Sequence, residues 1–298
     1  MKQGLIPIFS LALLLISNQV KGDERMSGAI NLSKDAVVAI IGRAEDNKFV
    51  ILGTGFFVDK KGTIATCNHV IKPVPTPFIM KPRELEKSKL LGYVTTKDKL
   101  PQLNLPVYQT STDAAFIPAQ VLERSFEEDI ALLKVDQQPA SYLRVGSYSS
   151  IAEGNDLIFL GFPFGFNRVV THKGMVSYKG EINVTGTPGG KAIAAVQIDG
   201  IVNRGSSGSP LISVSQGNVV GIVKATHGSV GPYLQAINEG RIQTRGVGLG
   251  QIDFGVFTRE VAAAIDRHIQ MGIGYAISAD YLTDIQKKAK AAAKRKKK

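Results

Sequence analysis

Residues 53–70 read Gly53-Thr54-Gly55-Phe56-Phe57-Val58-Asp59-Lys60-Lys61-Gly62-Thr63-Ile64-Ala65-Thr66-Cys67-Asn68-His69-Val70. Phe56-Phe57-Val58 is strand-forming, Asp59 to Gly62 carries turn chemistry, and Ile64-Ala65-Thr66 resumes the strand. The stretch predicts an antiparallel hairpin that delivers a histidine at its far end. Upstream, Ala36-Val37-Val38-Ala39-Ile40-Ile41 and Phe49-Val50-Ile51-Leu52 are two further short apolar runs. Downstream, Ile117 to Val121 is a weaker strand whose Pro118 predicts an edge position or a strand start. Ile130 to Val135 is a clearer one. No Gly-rich strand-to-helix turn marks a nucleotide fold.

The second half repeats this rhythm. Strands are expected at Asp156 to Leu160, Gly174 to Tyr178, Ala192 to Ile198, Leu211 to Ser213, Val219 to Val223 and Gly272 to Ile277, with a turn at Gly161 to Gly165. Residues 137–150, with Pro139 and small polar residues, separate the two groups. Two groups of short strands predict two small barrels, each closing its own edges. The expected units are 30–136 and 151–286. Residues 72–116 form a protruding, proline-rich insertion in the first, and residues 228–271 form an insertion in the second. Within the latter, Val261, Ile265 and Ile269 give Thr258 to Ile269 an amphipathic helical pattern. A closing helix is expected from about Asp280, with Leu282, Ile285 and Ala289 facing inward.

Charge and cysteine content narrow the function classes. Cys67 is the single cysteine, so an intrachain disulfide and a multi-cysteine zinc site are both excluded. The formal net charge is +11, but residues 287–298 hold eight Lys or Arg and no acid. Without them the body is only mildly basic, and whole-surface attraction to nucleic acid is not implied. The tail is expected to fray through self-repulsion. It could dock on nucleic acid, anionic lipid or an acidic polymer, or simply solubilise the terminus. At the other end, residues 1–22 carry the apolar run Leu5 to Ile16 and read as a signal peptide with a mature start near Asp23. An uncleaved membrane anchor and a buried terminal element are the alternatives.

Three residues carry the chemistry. Ser207 lies in Asn203-Arg204-Gly205-Ser206-Ser207-Gly208-Ser209-Pro210-Leu211, where nearby glycines permit a sharp bend and an unobstructed hydroxyl. The amides of Gly205 and Ser207 could then converge on a developing oxyanion. His69 fits a general base that takes the serine proton and returns it to a leaving amine. Asp129, just before a strand, could orient that imidazole. Each has an ordinary reading too: a loop serine, a structural histidine, a turn-capping acid. Other histidines, His172, His227 and His268, lack comparable surroundings.

Taken in order, these segments resemble the HtrA/Deg branch of the trypsin-like serine proteases. The likeness rests on Gly53 to Phe57, Thr66 to Val70, Asp129 to Val135, Val145-Gly146, Gly161 to Gly165, Gly174 to Ser177, Asp199 to Leu211, Gly221 to Val223 and Gly272 to Ile277. It implies an all-β fold of two six-stranded antiparallel β-barrels with a helical insertion and a C-terminal helix. It also implies a His69–Asp129–Ser207 triad, with Gly205 at the oxyanion site. Ile201, Arg204, Lys224, Ala225 and Thr226 become the expected substrate-binding residues. Ile201 would line an apolar pocket, and residues 224–226 would pair with the substrate backbone. Arg204, Ser206 and Ser209 stand where that family usually has proline, asparagine and glycine, and Cys67 replaces a common alanine. The room after Ile277 is too short for the PDZ domain that many relatives carry.

The implied activity is hydrolysis of unfolded or misfolded polypeptides, after small or medium aliphatic residues, without cofactor or metal. The setting would be periplasmic or secreted, and homo-oligomers are common among such enzymes. The competing reading is a catalytically inactive protein-binding or chaperone-like module on the same fold.

Overall fold

The computed structural model describes residues 24, 26–95, 104–183, 192–224, 248–249, 252–253 and 273–295. Strand β1 (Val37–Arg43) turns through Asp46 (φ 56°) and Asn47 (φ 54°) into the ten-residue β2 (Lys48–Phe57). Asp and Asn tolerate this left-handed region better than most residues, which makes the tight reversal accessible. Gly53 and Gly55 therefore lie inside one strand. After the turn at 59–62, β3 (Thr63–Cys67) returns antiparallel and runs into the single-turn helix α1 (Asn68–Ile71), which carries His69.

The described residues of the segment 72–116 are built into the sheet. They contain β4 (Phe78–Met80), helix α2 (Pro82–Glu86), β5 (Lys89–Thr95) and β6 (Asn104–Gln109). Strand β4 pairs with β1, and β6 pairs with β2 through Phe49↔Tyr108. Ile79, Met80, Leu85 and Tyr108 are buried, so this segment contributes to the core and is not only a protrusion. Then follow β7 (Ile117–Pro118), β8 (Gln120–Ser125) and β9 (Ile130–Lys134).

These nine strands form one sheet with the main path β7-β4-β1-β2-β3-β9-β8, from which β6 and β5 branch at β2. The path does not close. Its ends, β7 and β8, are separated in sequence only by Ala119, yet no ladder joins them among the described residues. Strand β7 is two residues long, and Pro118 has no N–H to donate, so it cannot propagate pairing to the other end.

The second sheet comprises β10 (Asp156–Gly161), β11 (Val170–Ile182), β12 (Ile193–Asp199), β13 (Pro210–Ser213), β14 (Val219–Lys224) and β17 (Ile273–Ser278). They close into a barrel in the order β10-β11-β12-β17-β14-β13. The expected pair of six-stranded barrels is thus corrected: one six-stranded barrel closes, and the other sheet is open and larger.

Residues 228–271 are described only at the short hairpin of β15 (Gly248–Leu249) and β16 (Ile252–Asp253), and the expected helix Thr258 to Ile269 lies outside the described residues. The closing helix α3 (Ala279–Arg295) buries Leu282 and Ile285 and packs Ala289 against the core. It remains helical through Arg295, so the lysine-rich stretch expected to fray continues the helix up to that point. Leu282 and Ile285 join the cluster formed by Ile40, Phe56 and Leu133 of the open sheet and Leu160 and Ile277 of the barrel. Each such side chain, fully buried, stabilises by about 1.5–3 kcal/mol.

Candidate active site

Asp129 ends the turn between β8 and β9 with φ 57°, a left-handed conformation unusual for a residue with a side chain. Its carbonyl accepts the Asn68 N–H at 2.9 Å, fastening the turn to the start of α1. Its carboxylate is turned back onto the same helix. The His69 backbone N–H donates to Oδ1 at 2.8 Å, and the His69 Nδ1 lies 2.6 Å from Oδ2. This second contact fixes the ring and leaves Nε2 as the outward nitrogen. The imidazole is 42% exposed while the carboxylate side chain is 9% exposed.

A third group reaches that carboxylate. The Lys224 ammonium, from the end of β14, sits 3.0 Å from Asp129 Oδ2 with its side chain only 8% exposed. Burial alone would push the Asp129 carboxyl upward. Its hydrogen bond and charge interaction with His69, together with Lys224, more than offset this and hold it below the usual carboxylate range.

The segment bearing Ser207 is held against the open sheet. Thr54 N–H donates to the Ser207 carbonyl at 2.9 Å, and Thr54 Oγ1 donates to the Gly205 carbonyl at 2.8 Å. The same hydroxyl accepts from the Phe162 N–H at 3.1 Å, and the Arg204 carbonyl accepts from the Phe164 N–H at 2.5 Å. One threonine on β2 therefore ties the serine segment to the turn at 161–165. Gly205 and Gly208 both have φ 87°. A Cβ on Gly205 would meet the Phe162 carbonyl at 2.1 Å, and one on Gly208 would meet the Thr54 carbonyl at 2.0 Å. These positions require glycine on both counts.

Gly53 closes the arrangement. An added Cβ there would touch Val70 at 2.8 Å and the Ser207 carbonyl at 3.0 Å. The residue after His69 and the backbone of Ser207 thus flank one glycine, bringing the histidine and serine segments together across the seam between the sheets. Ser207 itself is buried at 5% exposure.

The remaining expected residues are placed unevenly. Ile201 is 48% exposed, as a residue open to a ligand can be. Lys224 directs its side chain to Asp129, so any contact with a peptide falls to its backbone. Ala225, Thr226, His227 and His268 lie outside the described residues. His172 stacks on Phe159 with ring centroids 4.8 Å apart, and burial pushes it below its ordinary value. It is a packing residue of the barrel.

Cys67, His69 and Asp129 place one potential ligand atom each within 4.8 Å of one another. The set does not suit a cation. The carboxylate already takes three donations, one from an ammonium. Burial, and then the Asp129 charge, push the Cys67 thiol well above its ordinary value, and it donates to the Val223 carbonyl at 3.5 Å.

Sequence reasoning missed two features. The crosslinking by Thr54 was signalled only by its two flanking glycines. The Lys224–Asp129 pair was signalled by one lysine ending an otherwise apolar strand, Val-Val-Gly-Ile-Val-Lys. Ser209 shows how a departure is absorbed: a Cβ on Gly161 would lie 2.2 Å from its Oγ, so that glycine provides the space.

Residues 53–222 match the family described as trypsin-like peptidase domain, which is more than half of the chain. The chain belongs to the trypsin-like peptidase family. It is similar to a "Probable periplasmic serine endoprotease DegP-like" of Pseudomonas savastanoi pv. phaseolicola (strain 1448A / Race 6), at 30% identity over 172 residues, covering 57% of this chain and 28% of that protein. The namesake in Hahella chejuensis (strain KCTC 2396) is 30% identical over 170 residues, covering 57% and 29%. This trypsin-like chain therefore spans less than a third of the length of those relatives. Its fold is similar to that of "HtrA-type protease AlgW with decapeptide", with a TM-score of 0.57 and 16% identity over 89% of this chain and 67% of that one. The same protease with tripeptide gives a TM-score of 0.56 and 17% identity, over 88% and 62%.

Proposed function

We propose that this trypsin-like domain is a serine endopeptidase in which His69, Asp129 and Ser207 act as base, orienter and nucleophile. The observation that carries the proposal is the His69 Nδ1–Asp129 contact of 2.6 Å, beside a serine held between two left-handed glycines. Asp129 fixes the tautomer, so Nε2 is the nitrogen that takes the Ser207 proton. The serine oxygen then attacks the scissile carbonyl and forms a tetrahedral oxyanion, which the amides of Gly205 and Ser207 stabilise. Collapse expels the amine, which takes the proton back from His69. Water, activated by His69, hydrolyses the acyl-enzyme.

The substrate class is an extended polypeptide, cut after small or medium aliphatic residues received near Ile201. Its backbone would add to the edge formed by Lys224, Ala225 and Thr226, with Arg204 bordering the cleft. Support for a periplasmic or exported setting comes from the names of the relatives and from the apolar run at residues 5–16. Among the described residues, no helix is long and apolar enough to cross a membrane. The basic residues 287–298 are proposed to hold an anionic surface or polymer, and assembly into homo-oligomers accords with the branch.

A fluorophosphonate probe, with hydrolysis of a denatured protein measured alongside, tests the peptidase reading. Wild type should label and cleave, and Ser207→Ala should do neither. Failure of folded wild type to label would favour the inactive binding module.

A further inference from the structure

Among the described residues, Asp129 and Lys224 are the only two buried charged side chains, and they are joined to each other. Lys224 Nζ and His69 Nδ1 share the same oxygen, Oδ2, at 3.0 and 2.6 Å. We infer that Lys224 is a positioning residue that compensates the Asp129 charge and thereby sets the pH range in which His69 serves as a base. The kinetic consequence rests on the peptidase reading, whereas the effect on His69 does not.

An aspartate facing an imidazole favours the protonated ring by charge attraction. An ammonium on the same carboxylate oxygen cancels much of that attraction and repels an imidazolium held by the same atom. Asp129 and Lys224 are buried, so their charges act on the half-exposed ring with less screening than two surface groups would. Lys224 therefore extends the neutral, base-competent ring to lower pH. It also holds the carboxylate in place, since His69 N–H and Nδ1 take the remaining directions.

Other groups near the pair do not supply this charge. Cys67 on β3 is a protonated thiol, and Arg124 on β8 is directed to Asn68 Oδ1 at 3.4 Å. Glu127 and Glu128 lie in the β8–β9 turn, where Glu128 accepts from the Ser125 hydroxyl. Ser207 contributes a neutral hydroxyl.

The test uses the full chain and three variants, Lys224→Met, Lys224→Gln and Lys224→Arg, each checked for folding by circular dichroism. The first readout is kcat/KM against pH on a peptide substrate. The second is the pH titration of the His69 ring resonances by NMR, in a Ser207→Ala background. Both neutral variants should move the acidic limb, and the ring titration, upward by about one pH unit. Lys224→Arg should restore the wild-type position.

If Lys224→Met does not fold, Lys224→Gln, which keeps a hydrogen bond without the charge, reads the same quantity. Unchanged positions in the neutral variants, or a shift in Met that Gln alone corrects, would overturn the inference. Absence of Ser207-dependent turnover would sink the peptidase reading, while the NMR titration would still decide the role of Lys224.

Discussion

Asp129 concentrates three demands on one residue: a left-handed backbone, a buried charge and three donors on its carboxylate. A single substitution should expose all three. Asp129→Asn leaves the Lys224 ammonium buried without its counter-charge, at a cost of about 3–5 kcal/mol near neutral pH. The folded-state Asp129 titrates below the usual carboxylate value, so its stabilisation is fully present above about pH 4. It is lost as pH falls through the folded value, where wild type protonates too. Melting temperatures from pH 7 to pH 2 should therefore show a large gap between wild type and Asp129→Asn that narrows in acid. A gap of constant size would contradict this account. For turnover, Ser207→Ala and His69→Ala should each lower kcat/KM by about 10³-fold or more, with little change in melting temperature. His69, Asp129 and Ser207 were legible in the sequence because their flanking segments carry distinctive residue patterns. The pairing of Lys224 with Asp129 was not, because that contact joins the end of one strand to a turn almost a hundred positions away.

At the level of elements, strand β2 does more than pair with its neighbours. Its Thr54 supplies two donors and one acceptor to the segments carrying Gly205, Ser207 and Phe162. Thr54→Val keeps the backbone donor and the shape but removes both hydroxyl hydrogen bonds. The expected loss is about 2–3 kcal/mol, at roughly 1 kcal/mol per bond plus the buried carbonyl left unpaired. Urea denaturation would measure it, and turnover should fall in parallel because the Gly205 carbonyl loses its anchor. Gly53→Ala tests the seam from the other side. The new methyl meets Val70 at 2.8 Å and the Ser207 carbonyl at 3.0 Å, so the His69 and Ser207 segments must move apart. It should cut kcat by about tenfold or more with a smaller effect on stability, given how steeply rate depends on alignment. Equal kcat in Gly53→Ala and wild type would show that the seam tolerates the displacement. Outside residues 72–116, most strands were readable from apolar runs and turn residues. The integration of residues 72–116 was not, because six prolines and a charged run read as loop until β4 and β6 find partners in β1 and β2.

For the whole molecule, the open sheet, the closed barrel and helix α3 share one apolar cluster, and the candidate site lies where the two sheets meet. Removal of residues 287–298 cuts helix α3 just beyond Ile285, keeping Leu282 and Ile285 but losing the partly buried Ala289. It should leave turnover nearly unchanged and weaken binding to heparin or anionic vesicles, and binding that survives the deletion would place the anionic contact elsewhere. Local residue chemistry was enough to determine that the chain is made of short antiparallel strands in two groups, and that a histidine, an aspartate and a serine stand at their ends. Periodicity and turn propensity act over a few residues, and so a sequence displays them directly. Tertiary structure alone decided that one sheet closes and the other stays open, because closure depends on whether β7 can pair with β8 across a proline. It alone decided, too, that a lysine neutralises the aspartate behind His69, because charges interact through space and not along the chain.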